Sequence, residues 1–380
     1  MNTARVVAEA GRLIAIEGHQ DHPGEERAVA DYLAERLRGC GAEVDRQPVD
    51  EHGRVNVIGR LRGSRPGPTL MFNAHLDTVP PYGMSIEPRV VDGRLLGRGA
   101  ADMKGALAAM LAVVDRLAPD RDFAGELLLT GVAGEENGSP GTRALVAAGI
   151  RADFAIVGEP TMMRAGRAHK GAMWARATFR GVATHGSVPG NGINAIQHAA
   201  RFVTAVETGL TPVLQRRTHP LLGPATVNVG VIAGGDRPPM VPASCTVALD
   251  RRWLPGEEHA DVLAEIRAVA EGLRISDPRV DVTVDEMDGT GTFVHAPLDC
   301  PRDNPHLRML CDLLGDEPVG LQFWTDGALL AAHGTPAVVC GPGDIAQAHS
   351  LDEWVSVDQL GRAAEVYFAI AARMLSVRSA

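Results

Sequence analysis

Apolar residues recur along this chain with two different periods. In the first fifty residues Val29, Leu33 and Leu37 fall at i, i+4 and i+8, one stripe of a helix, and the segment reads as two helices and a strand around the polar break GHQDHPGEE. Four short apolar runs follow, Thr69 to Phe72, Leu127 to Thr130, Phe154 to Val157 and Ala337 to Cys340. Runs of this length without alternation suit strands buried on both faces. Helical stretches separate them, among them Gly105 to Leu117, which is rich in Ala, Leu, Met and Val. The pattern predicts an α/β sheet covered by helices.

Between residues 171 and 288 the period changes to two. Val227, Val229 and Val231, then Cys245, Val247 and Leu249, then Val280, Val282 and Val284 alternate with polar or small residues, as half-exposed strands do. A further strand is expected at Ala172 to Phe179, with helices at 194–207 and 257–273. The first of these helices would place Ile196, Ala199, Ala200 and Val203 on one face. The resulting order, βαββαβ, predicts a ferredoxin-like α+β domain. It would be inserted in the α/β domain, whose fourth buried strand and closing helix near 360–375 come after it. The expected division is thus 1–170 with 289–380 for one domain and 171–288 for the other.

Composition narrows the function classes. Of 380 residues 45% are hydrophobic and 22% charged, ordinary values for a globular chain. The run Ala106 to Val114 falls well short of the roughly 18 apolar residues that suggest a membrane span, and the N-terminal segment has no secretory pattern. Neither a membrane partner nor export is expected, which leaves the cytoplasm. The net charge of −10 opposes binding to a polyphosphate, so nucleic acid is not an expected partner. Five cysteines without CxxC spacing indicate neither a disulfide framework nor a thiolate metal site.

The polar residues of interest follow the buried runs, where an open α/β sheet forms its ligand crevice. His75 and Asp77 follow the first run in HLDTVP, Glu135 and Glu136 the second, Glu159 the third, and His349 the fourth in GPGDIAQAHS. Asp102, in GRGAADMKG, precedes the apolar helix. Carboxylates mixed with imidazoles suit zinc, cobalt or manganese, zinc foremost. Two ions would need a bridging carboxylate, two histidines and two terminal carboxylates. That leaves one member of the Glu135–Glu136 pair as a general base.

Each residue also has an ordinary explanation. A Glu-Glu pair after a strand is commonly a solvated turn, an Asp before a helix a cap, and Asp77 a turn former, although an Asp two residues beyond a metal-binding histidine often accepts from its other ring nitrogen. Such explanations would have to coincide at several strand ends. GRGAAD lacks the third glycine of a dinucleotide fingerprint, and neither GxSxG nor HExxH is present.

HLDTVP, GRGAADMKG, GEENGSPG, VGEPT and AHSLDEWV, in this order and spanning nearly the whole chain, resemble the dinuclear-zinc M20 amidohydrolases and peptidases. The resemblance implies a zinc-peptidase-like catalytic domain with an inserted lid or dimerisation domain, and two divalent ions, Zn2+ or alternatively Co2+. It implies that His75 and Glu159 hold one ion, Glu136 and His349 the other, that Asp102 bridges them, that Glu135 is the base, and that Asp77 orients His75. It also implies a cis peptide after Asp102.

In the inserted domain, His185 matches a histidine that reaches a neighbouring active site, and Arg252 an arginine that grips a substrate carboxylate. Asn228, Gly341 and Thr325 resemble further substrate contacts. The implied reaction is metal-dependent hydrolysis of an N-acyl-L-amino acid, or of a dipeptide, by a homodimer formed through the inserted domain. RAHKG and GPGDIAQAHSLDEW look most like acetylornithine deacetylases. Pro239, where these lids usually carry Asn, and Thr325-Asp326, where Thr-Glu is expected, keep a succinyl-diaminopimelate desuccinylase or a dipeptidase-like glutamate carboxypeptidase as the alternative. A noncatalytic module on the same fold would be expected to have lost its base, and Glu135 is retained.

Overall fold

A computed structural model of the chain describes residues 1–287 and 295–378. These divide into two compact units, one formed by Met1–Arg167, Cys300–Gly320 and Thr325–Ala380, the other by Ala168–Asp299 and Leu321–Trp324. The boundary expected at 288/289 lies outside the described residues.

In the larger unit a mixed sheet runs in the order Glu43–Pro48, Val55–Arg62, Ala124–Val132, Arg65–His75, Phe154–Pro160, Ala337–Gly341. The last four are mutually parallel. All four apolar runs are strands, and both parities are buried. Leu70, Phe72 and Ala74 join a core with the helices Thr3–Ile14, Gly105–Leu117 and Val357–Met374, while Met71, Leu128 and Val339 are equally inaccessible on the other parity. A sheet without a solvated face has no reason to alternate, which is why these strands read as continuous apolar stretches. Val29, Leu33 and Leu37 form the buried stripe of the helix Arg27–Gly39.

The smaller unit has an antiparallel sheet in the order Thr226–Gly234, Ser244–Trp253, Gly171–Arg180, Asp281–Glu286, with the helices Ala195–Ala205 and His259–Ser276. This is the expected βαββαβ succession. Cys245, Val247 and Leu249 are buried as the alternation requires.

Two expectations fail here. The helix Ala195–Ala205 buries Ala195, His198, Ala199 and Phe202, whereas Ile196 and Ala200 are exposed. The large ring of Phe202, packed on Phe179 at 5.6 Å between centroids, sets the inward face about one residue away from the stripe that the β-branched residues suggest. On Thr226–Gly234 the register shifts between Val229 and Val231. This bulge turns Val231 to the opposite face from Val229, and the end of this outermost strand is exposed on both parities, Val231 at 54% and Ile232 at 51%. Among the described residues no helix is long and apolar enough to cross a membrane.

Candidate metal centre

The centre belongs to the larger unit and is assembled at the C-terminal ends of its parallel strands. His75 is the last residue of Arg65–His75 and pairs in register with Val132 on the neighbouring strand. Three residues past Val132, the short turn Glu135–Asn137 begins after Gly134 in a left-handed conformation (φ +71°), a backbone that glycine adopts without a side-chain penalty. Glu159 lies within Phe154–Pro160, and His349 in the loop after Ala337–Gly341.

Asp102 precedes the helix that starts at Gly105 and has non-helical backbone angles. The peptide Asp102–Met103 is cis, as the resemblance implies.

The side chains converge on Asp102. Its Oδ1 lies 2.8 Å from His75 Nε2 and its Oδ2 3.2 Å from His349 Nε2, so one carboxylate serves two imidazoles, one with each oxygen. His349 Nε2 is also 2.9 Å from Glu136 Oε1, and His75 Nε2 is 3.5 Å from Glu159 Oε1. On the far side of its ring, His75 donates from Nδ1 to the backbone carbonyl of Asp77 at 3.0 Å. That leaves Nε2 as the atom available to a metal ion.

The Asp77 carboxylate is 3.4 Å from the same Nδ1, but it is hydrogen-bonded elsewhere. Oδ1 accepts from the N–H of Glu135 at 3.1 Å and Oδ2 from that of Glu136 at 3.0 Å. Asp77 therefore fastens the Glu-Glu turn to the histidine strand, a connection that the spacing of the two motifs does not reveal.

The electrostatics are those of a cation site. Burial, reinforced by Asp102, pushes Glu159 well above the usual carboxylate range, and burial with Asp326, Glu136 and Asp102 does the same to Glu135. Burial opposes the charged form of His75, but Glu159, Asp102 and Asp77 outweigh it and hold the ring well above its ordinary value. Hydrogen bonds to Asp102 and Glu136 raise His349 to about 10. Burial would raise Asp102, yet its bonds to His349 and His75 keep it far below the carboxylate range.

Glu159 Oε1 is buried and has no hydrogen-bond partner, which is costly unless a cation completes it. Ligand atoms of His75, Asp102 and Glu136 lie within 4.8 Å of one another, as do those of His75, Glu135 and Glu159. Two imidazoles and four carboxylates so placed fit a pair of divalent ions.

Other expected site residues have different surroundings. Thr325 is fully buried, and its Oγ1 accepts from the N–H of Gly327 at 3.3 Å. Asp326, also buried, accepts from the hydroxyl of Thr142 at 2.7 Å and braces the helix that follows the Glu-Glu turn. Burial raises it to about 6. Gly341 is needed for packing, since a Cβ there would meet Gly158 O at 2.0 Å and Glu159 O at 2.6 Å.

In the smaller unit His185 is exposed, with Nδ1 2.7 Å from Ser187 Oγ. Asn228 is exposed on the outermost strand, and Arg252 Nε donates to Asp250 at 3.0 Å. Motif reading passed over two buried charged residues beside Asp102, namely Arg98 and Glu353. The available signal was a Glu four residues after His349, immediately before the strand Trp354–Ser356.

The family model for peptidase family M20/M25/M40 matches residues 71–373. An acetylornithine deacetylase of Myxococcus xanthus is 32% identical over 342 residues, covering 87% of this chain and 88% of its own. Among solved structures, the aminopeptidase PepT of Bacillus cereus superposes with a TM-score of 0.82 at 23% identity, covering 97% of this chain and 98% of its own. The YXEP protein of Bacillus subtilis, a dinuclear metal-binding peptidase of the M20 family, does so with 0.74 at 16% identity and 99% coverage of both chains. With most of its length matched by that family model and its metal motifs joined in one centre, the chain belongs to peptidase family M20/M25/M40 and is a metal-dependent amidohydrolase.

Proposed function

We propose that this enzyme hydrolyses the amide bond of N-acyl-L-amino acids in the manner of an acetylornithine deacetylase, using two zinc ions. The observation that carries the reading is the Asp102 carboxylate, shared oxygen by oxygen between His75 and His349. His75 and Glu159 would hold one ion, Glu136 and His349 the other, and Asp102 both. When bound, such ions would lower the pKa of the attacking water and polarise the acyl oxygen.

Glu135 takes the proton of the attacking water and returns it to the departing amine. Its raised pKa, caused first by burial, suits a group that must carry a proton between these steps. Asp77 keeps Glu135 in place through its backbone N–H. A carboxylate and a free amino acid leave.

Arg252, Asn228 and Thr325 as substrate contacts, with His185 at the oxyanion, are proposed from the family resemblance. So are a homodimer formed through residues 171–288 as a lid, and a cytoplasmic location. The substrate class is supported by the Myxococcus xanthus relative. Asp326, where deacetylases are expected to carry Glu, favours a desuccinylase or dipeptidase as the second reading.

The test is to incubate metal-free and zinc- or cobalt-loaded protein with N-acetyl, N-formyl and N-succinyl amino acids and with dipeptides, and to measure released amine. Metal-dependent release from N-acetyl amino acids is expected. A preference for succinyl substrates or dipeptides would select the second reading, and no release from any would reject both.

A further inference from the structure

We propose that Glu353 is a positioning residue of the metal centre, a buried clamp that sets the bridging Asp102 and the His349 loop at a fixed separation. The inference rests on the reading of these residues as a two-ion site. Glu353 is 1% exposed, and both carboxylate oxygens are fully engaged. Oε1 accepts from the N–H groups of Ala101 at 2.9 Å and Asp102 at 3.1 Å, and Oε2 from that of Gly99 at 3.1 Å and from Arg98 Nη1 at 2.6 Å.

Arg98 is itself 4% exposed and donates from Nη2 to the carbonyl of Ser350 at 3.0 Å. The Glu353 carbonyl accepts from the N–H of Gly97 at 3.1 Å. Residues 97–102 and 350–353 are thus laced together just where the first segment presents Asp102 and the second follows His349.

The backbone explains why a carboxylate is required. Gly99 is in a left-handed conformation (φ +83°) and Asp102 is non-helical, so the N–H groups of Ala101 and Asp102 precede the regular helix and need an acceptor from elsewhere. A buried N–H without one is costly. Four donors converge on a group with acceptor positions on both oxygens, whereas an amide would turn an NH2 toward two of them. Asp102 must place one oxygen toward each histidine, and a shift of a few tenths of an ångström in its Cα would upset both.

The test compares wild type, Glu353→Gln and Arg98→Lys by zinc titration calorimetry, by the visible spectrum of the cobalt-loaded protein and by kinetics. We expect Glu353→Gln to fold, to weaken binding of at least one ion by about 10- to 100-fold, the usual effect of losing an orienting partner, and to change the cobalt band intensities. At saturating metal kcat should fall while KM stays near wild type. Arg98→Lys, which keeps the charge but loses the fork to Glu353 and Ser350, should show the same changes to a smaller degree.

Wild-type affinity and spectrum in a folded Glu353→Gln protein would overturn the proposal. If that variant does not fold, the Arg98→Lys titration decides on the same criterion. Failure of both to fold, with or without zinc, would make Glu353 part of the scaffold and also overturn it. Failure of the underlying two-ion reading is distinguishable, because the wild type would then bind fewer than two equivalents.

Discussion

In the larger unit the strands ending near His75, Val132 and Gly341 are buried on both parities, and His75, Asp102, Glu136 and His349 are tied by hydrogen bonds. In the smaller unit the sheet buries one parity, and the residues singled out for function lie on an exposed loop, an exposed outer strand and a half-exposed one. Buried positions can hold His75, Asp102 and Glu159 to within the tolerance that metal chemistry demands, because surrounding packing leaves few alternatives, while the half-exposed His349 is held by Asp102 and Glu136. Exposed positions suit contacts that form with substrate. Mutations at the metal centre should therefore act through kcat and metal binding, and mutations at Arg252 and Asn228 through KM.

The largest effect is expected from Glu135→Ala. Loss of a general base costs about 10^2- to 10^4-fold, so kcat should fall by that order with two metal equivalents still bound. Steady-state rates with elemental analysis check this, and a rate within a few-fold of wild type would remove Glu135 from the chemistry.

Metal removal comes next. Without ions, Glu135 and Glu159 keep protons in the folded state that the unfolded chain releases near pH 4.5, so the metal-free fold loses stability as pH rises above that value. The raised His75 and His349 add stability that is fully present below pH 6.5 and fades toward the folded value, about 10 for His349. Asp102 is lowered, and its contribution is constant above pH 4. Ions bind the deprotonated ligands and add about 2.7 kcal/mol at a concentration 100 times Kd. The difference in Tm between loaded and metal-free protein should therefore widen from pH 5 to pH 8. A constant or shrinking difference would contradict the assignment of His75, Glu159 and His349 as ligands.

Arg252→Ala should raise KM for substrates with a free α-carboxylate by about 10- to 100-fold, the equivalent of one hydrogen bond to a charged group, with kcat little changed. An unaltered KM would move carboxylate recognition to another residue. The smallest effect concerns the helix Ala195–Ala205. Ile196→Ser should stay within about 0.5 kcal/mol of wild type as a surface change, while Phe202→Ala should cost about 3 to 5 kcal/mol. Chemical denaturation of both variants decides which face is inward, and the reverse ranking would restore the stripe of Ile196, Ala199, Ala200 and Val203.

That these polar residues meet was legible in the sequence because most of them follow continuous apolar runs, and a parallel strand buried on both faces must end where polar groups can meet solvent or ligand. The distribution of bonds among those residues was not readable. Asp77 was expected to orient His75; the ring donates its hydrogen bond to the Asp77 carbonyl, while the Asp77 carboxylate is committed to the Glu-Glu turn. Thr325, a substrate contact by the family resemblance, lies fully buried with its hydroxyl accepting from the N–H of Gly327. Neither outcome has a sequence period.

Periodicity and motif order by themselves determined the α/β and ferredoxin-like architectures and which polar residues stand at strand ends, because burial imposes its spacing directly on the chain. Only the tertiary structure decided that one oxygen of Asp102 faces each histidine, that Glu353 gathers four donors from a segment some 250 positions earlier, that a bulge turns Val231 to the opposite face from Val229, and that Phe202 turns its helix. Each of these depends on where a long-range neighbour places a donor, an oxygen or a ring, and local sequence does not encode that distance.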